Sequence, residues 1–200
     1  DNTLIVFTSD HGDYLGDHWL GEKELFHDCI QKVPFLLYDP TAAADATRGA
    51  EDPRLVEAVD VVPTILDALG CDPAPHLIEG RSLLPLLRGE APAWREAVFS
   101  ELDWTFRGAR RRLGLPVGQH YAWMVRTGRW KYVHWTGGLR PQLFDLAADP
   151  QEFHDLGAEA SLEGVREEMR RRLLAWFCGL KNRTTLTWPE AEFRTDRHKA

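Results

Sequence analysis

Residues 3–8 read Thr-Leu-Ile-Val-Phe-Thr, and residues 9–12 continue Ser-Asp-His-Gly. An unbroken run of aliphatic, β-branched and aromatic residues predicts a strand buried on both faces, as in a parallel sheet. Residues 9–21 hold Gly12, Gly16 and Gly21 among polar residues, so a loop leaves the carboxyl end of that strand. Reactive groups of open α/β sheets gather at such ends, and Asp10 and His11 stand there. Gly12 lets the backbone turn, so the two side chains can converge on one point. A strand of this central kind at residue 3 also leads us to expect a piece of a longer protein.

The rest of the chain predicts two kinds of structure. Residues 33–38 read as a second buried strand with Pro34 near its start, and residues 39–53 as a surface loop. Residues 63–70 read as a helix, with Pro63 in the first turn and Gly70 at its C′ position. Residues 82–87 suggest a short helix or turn and residues 97–102 a strand. Residues 121–135 then read as a hairpin joined at Thr127 and Gly128. In its second strand Trp130, Tyr132 and His134 alternate with Lys131, Val133 and Trp135. Residues 142–146 could add a third strand. From 161 to 180 Leu162, Val165, Met169, Leu173, Trp176, Phe177 and Leu180 make one apolar helix face. The fold class expected is α/β: part of a parallel sheet over residues 1–100, then a small antiparallel sheet with a packed helix over 101–180. Residues 181–200 read as a polar arm or tail.

Composition narrows the partners. Lys and Arg number 24 against 31 Asp and Glu, a net charge of −7, which argues against nucleic acid and anionic membrane. No apolar run reaches the ~20 residues of a spanning helix, and the opening residues lack the basic stretch of a signal peptide. Cys29, Cys71 and Cys178 are few, odd in number and far apart, which fits a reducing, cytoplasmic setting. Asn182-Arg183-Thr184 matches a glycosylation acceptor, with nothing else pointing to secretion. The basic cluster at 107–112 reads as a solvated loop, the alternative being a contact for an anionic substrate or a neighbouring subunit. The hairpin and arm suggest subunit contacts in a homo-oligomer.

A carboxylate and an imidazole side by side make a mixed oxygen and nitrogen ligand set. It suits Mn, Fe or Zn, and Ca or Mg where the other ligands are oxygens. Two ligands need one or two more, and an isolated Asp-His-Gly is more often a capping loop beside a surface His. The wider stretch, residues 8–40, resembles the C-terminal metal-binding segment of the sulfatase family in the alkaline phosphatase superfamily. There a strand ends in Ser-Asp-His-Gly or Ser-Asp-Asn-Gly, followed by Leu-Gly-Asp-His, a Lys, and a basic residue before Val-Pro. Residues 59–70 and 80–89 look like that family's next elements, and residues 124–135 and 142–157 are similar to its C-terminal subdomain. Asp10-His11, where many sulfatases carry Asp-Asn, resembles the phosphonate monoester hydrolase and phosphodiesterase branch.

The resemblance implies that Asp10 and His11 ligate one divalent metal ion (Mn, Fe, Zn or Ca). It implies that Lys23 contacts the anionic oxygens of a small ester substrate. Asp17 and His18 flank the same cleft, as loop architecture or as supports for the metal ligands. His27 either faces substrate or lies on a helix surface. Asp13 reads as loop structure, and Lys32 stands where the family more often has Arg. The family nucleophile is a formylglycine made from the Cys of Cys-x-Pro-x-Arg. Residues 71–75, Cys-Asp-Pro-Ala-Pro, lack the Arg and do not qualify. The nucleophile and two further metal-binding aspartates are therefore expected in an N-terminal part outside this chain, which alone would be inactive. The expected activity is hydrolysis of phosphonate, phosphate or also sulfate esters. The alternatives are a true arylsulfatase-like enzyme or a non-catalytic metal-binding or assembly module.

Overall fold

The computed structural model describes residues 2–72, 78–104, 108–116, 119 and 121–180. The expected arm, the Asn182 acceptor, Arg107 and residues 73–75 beside Cys71 lie outside the described residues. Two compact units interleave along the chain. One comprises the segment ending at Phe7, Phe35–Trp94 and the chain from Ala175; the other comprises Thr8–Pro34 and Arg95–Leu174. Among the described residues no helix is long and apolar enough to cross a membrane.

In the first unit β1 (Ile5–Thr8) pairs with β2 (Phe35–Tyr38) as a two-stranded sheet. Both were expected to be buried on both faces, and they are not: Ile5 is 53% and Phe7 62% exposed. Two paired strands have too few neighbours to cover both of their own faces. A helix, α2 (Val61–Ala68), begins two residues before the expected start, so Pro63 falls in its first turn, where a missing N–H costs no helical bond. It ends as expected: Gly70 takes φ +69, and the N–H groups of Gly70 and Cys71 donate to the carbonyls of Asp67 and Leu66 at 2.9 and 2.8 Å. Buried Asp60 precedes the helix, its carboxylate accepting the N–H groups of Glu57 and Arg81 at 2.8 Å each. The Thr64 hydroxyl donates to the Asp60 carbonyl at 2.6 Å and accepts the Leu83 N–H at 2.9 Å, tying α2 to α3 (Leu84–Leu87).

Earlier in the second unit comes the short helix α1 (Asp28–Gln31). Its sheet is an antiparallel meander of β3 (Ala97–Asp103), β4 (Tyr121–Thr127), β5 (Trp130–Trp135) and β6 (Gln142–Asp145), neighbours in chain order. The β4–β5 hairpin pairs Val125 with Tyr132, and the Thr127 hydroxyl accepts the Trp130 N–H at 3.0 Å. The strict in–out alternation expected of β5 is absent, since Lys131, Tyr132 and Val133 are all buried. Both faces are covered. Val133 packs with Phe26, Ala122 and Met124, and Tyr132 hydrogen-bonds Arg170 of the helix α5 (Glu163–Leu180). On α5 Met169 and Leu173 are buried as expected, whereas Phe177 is partly exposed and Arg166 takes a buried place, donating to the Glu159 carbonyl at 2.6 Å. The basic cluster is a short helix, α4 (Gly108–Arg112), rather than a loop. Ala and Arg are strong helix formers, which the charge alone did not convey.

Candidate functional site

Ser9 follows β1 directly, and its hydroxyl donates to the His11 carbonyl at 2.8 Å. The Asp10 carboxylate accepts the His11 N–H at 3.1 Å. Gly12 then presses against α1. Its N–H donates to the Ile30 carbonyl at 2.8 Å, and a Cβ there would stand 2.0 Å from the Cys29 carbonyl oxygen. Only glycine permits that approach, and it fixes where His11 leaves the backbone.

The His11 ring is oriented by its own loop. Nδ1 lies 2.6 Å from the Gly12 carbonyl oxygen. A carbonyl only accepts, so Nδ1 carries the proton and Nε2 of the neutral ring keeps its lone pair. Nε2 lies 2.6 Å from Lys23 Nζ and 3.3 Å from Asp10 Oδ2. Desolvation opposes the charge on Asp10. The positive charge His11 bears when protonated, the N–H groups of Asp10 and His11, and Lys23 outweigh it and hold the carboxyl below its ordinary range. The structure thus brings Asp10, His11 and Lys23 together at an exposed point, with Asp10 82% exposed. A carboxylate oxygen beside a neutral imidazole lone pair, with the other ring nitrogen held by a carbonyl, has the donor chemistry of half a divalent-metal site. Among the described residues no group of three or more His, Cys, Asp or Glu completes it.

Asp17, His18 and His27 are not part of that point. Asp17 is exposed in a tight turn, its N–H donating to the Tyr14 carbonyl at 2.7 Å. His18 has φ +52 and Trp19 φ +56, a left-handed turn that swings the His18 ring onto His27, with centroids 3.9 Å apart and planes at 18°. Phe153 lies 4.8 Å from His18, and the Tyr14 hydroxyl 2.6 Å from His27 Nδ1. His27, read above as facing substrate or on a helix surface, is half-buried here. It precedes α1 inside this aromatic cluster, and burial, with the positive charges of His18 and Lys131, pushes its pKa down to about 4. Burial, then the negative charges of Cys29 and Glu152, pushes the Tyr14 hydroxyl up.

A buried ionic cluster supports α1, and sequence reasoning missed it. Lys131 is fully buried; its Nζ lies 2.5 Å from Asp28 Oδ1, 2.6 Å from Glu152 Oε1 and 2.8 Å from the Phe26 carbonyl. Arg126 reaches the other Asp28 oxygen at 3.2 Å. Glu152 sits at φ +59 and accepts the Asp28 N–H at 2.5 Å. Desolvation raises the Glu152 pKa. For Asp28 the same effect is overcome by Lys131 and Arg126, which hold its carboxyl low. The available signal was a lysine sharing its strand face with Val133 and Trp135.

Residues 16–177 match the family described as N-sulphoglucosamine sulphohydrolase, C-terminal. The chain is 33% identical over 188 residues to the multifunctional alkaline phosphatase superfamily protein PehA of Trinickia caryophylli, covering 92% of this chain and 36% of that protein. It is 33% identical over 169 residues to arylsulfatase K of Rattus norvegicus, covering 78% of this chain and 27% of that one. The solved phosphonate monoester hydrolase of Agrobacterium radiobacter superposes with a TM-score of 0.79 at 38% identity, over 88% of this chain and 35% of that chain. The chain spans roughly a third of the length of these relatives. With most of its length inside one family match, the chain belongs to the sulfatase family of the alkaline phosphatase superfamily, as a C-terminal domain of that family.

Proposed function

We propose that this chain forms one wall of the active site of a metal-dependent hydrolase of phosphonate and phosphate esters. In this reading the polypeptide N-terminal to it completes an alkaline-phosphatase-like parallel sheet sandwich and supplies a formylglycine nucleophile and further metal ligands. The observation that carries the reading is His11 Nε2, a lone pair fixed by the Gly12 carbonyl, 3.3 Å from the Asp10 carboxylate and 2.6 Å from Lys23 Nζ.

Asp10 and His11 would hold one divalent ion, which when bound would polarise a phosphoryl or sulfuryl oxygen. Asp10 is ionised at neutral pH and ready to ligate. The Gly12 carbonyl keeps the proton on Nδ1 and so keeps Nε2 available. A lone pair cannot serve an ammonium and a metal ion at once. Ligation by His11 therefore frees Lys23 to pair with the anionic oxygens of a small ester, where a point positive charge offsets charge gathering in the transition state. The free thiols of Cys29, Cys71 and Cys178 accord with the cytoplasmic setting that goes with this reading.

The test is Asp10→Ala in the polypeptide extended to include the N-terminal portion. Loss of several kcal/mol of transition-state stabilisation should lower metal-dependent turnover of a phenyl phosphonate ester about a thousandfold. Unchanged turnover refutes the ligand assignment. The match to a sulphohydrolase domain and the arylsulfatase K relative favour a second reading, a sulfate ester hydrolase. Rates on matched aryl sulfate and aryl phosphonate esters separate the two.

A further inference from the structure

His11 stands between two peptide groups, and each is held. The N–H of the group before it donates to Asp10 Oδ1 at 3.1 Å. The group after it is held at both ends. Its carbonyl, that of His11, accepts the Ser9 hydroxyl at 2.8 Å, and its N–H, that of Gly12, donates to the Ile30 carbonyl at 2.8 Å. A peptide group is planar, so bonds at both ends orient the whole plane. That restraint matters because the next residue is glycine. Gly12 has access to more backbone conformations than any other residue type, so its own preferences do not keep its carbonyl 2.6 Å from His11 Nδ1. The bond to α1 restrains the plane from one end and Ser9 from the other.

The same hydroxyl lies beside the carboxylate, with Ser9 Oγ 3.4 Å from Asp10 Oδ1. A hydroxyl has one proton to give, and the shorter contact, to the His11 carbonyl, takes it. Oδ1 is anchored instead by the His11 N–H, and Oδ2 lies 3.3 Å from His11 Nε2. Ser9 thus ties down the backbone of one candidate ligand without claiming the carboxylate of the other. We propose that Ser9 is a positioning residue. By holding the His11 carbonyl it keeps the Gly12 carbonyl on Nδ1, and so keeps the Nε2 lone pair beside Asp10. The consequence for a bound divalent ion rests on the proposed hydrolase reading, whereas the effect on the ring does not. A serine that only closes the loop would lower stability when removed and leave the ring as it is.

The test compares Ser9→Ala and Ser9→Thr with the wild type on this chain by NMR at about pH 8, where an ordinary imidazole is neutral. In Ser9→Ala the His11 carbonyl carbon should shift upfield as it loses its donor. The two ring nitrogens of His11 should move from the Nδ1-protonated pattern towards exchange between tautomers. Ser9→Thr keeps the hydroxyl and should restore both signals. A ring pattern unchanged in Ser9→Ala, whatever happens to stability, overturns the inference, and so does a Ser9→Thr ring that behaves like Ser9→Ala. In the extended polypeptide, calorimetric titration with Mn²⁺ should show affinity about tenfold lower in Ser9→Ala and recovered in Ser9→Thr. Unchanged Mn²⁺ affinity alongside a disturbed ring overturns the link to the ion. Absence of Mn²⁺ binding by the wild type refutes the metal reading, and the ring signals then judge Ser9 separately.

Discussion

Replacing Lys131 with Met removes a cation that lies within 2.6 Å of both Asp28 and Glu152 and leaves the volume nearly unchanged. Lys131 is fully buried and the Glu152 side chain is 1% exposed. Removing one partner of such a pair costs about 3–5 kcal/mol, mostly from the charge left behind. Two partners survive, Arg126 on Asp28 at 3.2 Å and the Asp28 N–H on Glu152 at 2.5 Å. The low end, about 3 kcal/mol at pH 7, is therefore expected. The deficit should depend on pH with a definite sign. Burial already raises the Glu152 pKa above its ordinary 4.5, and loss of Lys131 raises it further. Stability present below the ordinary value is lost as pH rises through the folded-state value, so the variant recovers towards acid and its deficit at pH 5 should be smaller than at pH 7. Adding Glu152→Gln keeps an acceptor for the Asp28 N–H and removes the stranded charge, which should restore at least about 1 kcal/mol. Urea unfolding followed by tryptophan fluorescence at both pH values measures all three quantities. A deficit under about 1 kcal/mol at pH 7, a deficit independent of pH, or a further loss on adding Glu152→Gln refutes the reasoning.

Three further outcomes are expected. His27, with its pKa pushed from 6.5 to about 4, is stabilising while neutral; stability is full above 6.5 and is lost as pH falls towards 4, by about 2 kcal/mol after solvent screening. An NMR titration of its ring should show a midpoint near 4, and a midpoint at 6.5 refutes the burial argument. Gly12→Ala drives a Cβ to 2.0 Å from the Cys29 carbonyl and should cost about 1–3 kcal/mol, whereas Gly21→Ala meets nothing within 4 Å and should change stability by less than about 0.5 kcal/mol. Thr64→Val strands the Leu83 N–H and should cost about 1–3 kcal/mol by urea unfolding; Thr64→Ser keeps the hydroxyl and should cost less than half as much.

What could be read from the sequence follows the reach of each interaction. Asp10, His11 and Lys23 meet within one segment of 14 residues, and Gly12 signals the turn that joins the first two. The α2 ends were legible for the same reason, because Pro63 and Gly70 act through bonds to their own helix. His18 was not. Its stack on His27 needs φ +52 and +56 at His18 and Trp19, and neither residue advertises a left-handed backbone as glycine would. The exposure of Ile5 and Phe7 depends on how many strands flank β1, which residues 3–8 do not encode.

The ionic cluster joins these two classes. Lys131 meets Asp28 across 103 residues, and the Asp28 N–H meets Glu152 across 124. No local pattern marks such a pair, and alternation along β5 assigned Lys131 only to a face. Yet the cluster bears on the legible site. Asp28 opens α1, α1 presents the Cys29 and Ile30 carbonyls to Gly12, and Gly12 holds the proton on His11 Nδ1. The lone pair on His11 Nε2 thus depends on a charge buried in the sheet as well as on the loop that displays it. A variant that loosens α1 should therefore disturb the His11 tautomer before it unfolds the chain, and ring nitrogen shifts of His11 in Lys131→Met should show Nδ1 and Nε2 moving towards exchange between the two protonated forms. If the Nδ1-protonated form persists unchanged while stability falls, α1 and the loop are independent and this coupling is wrong.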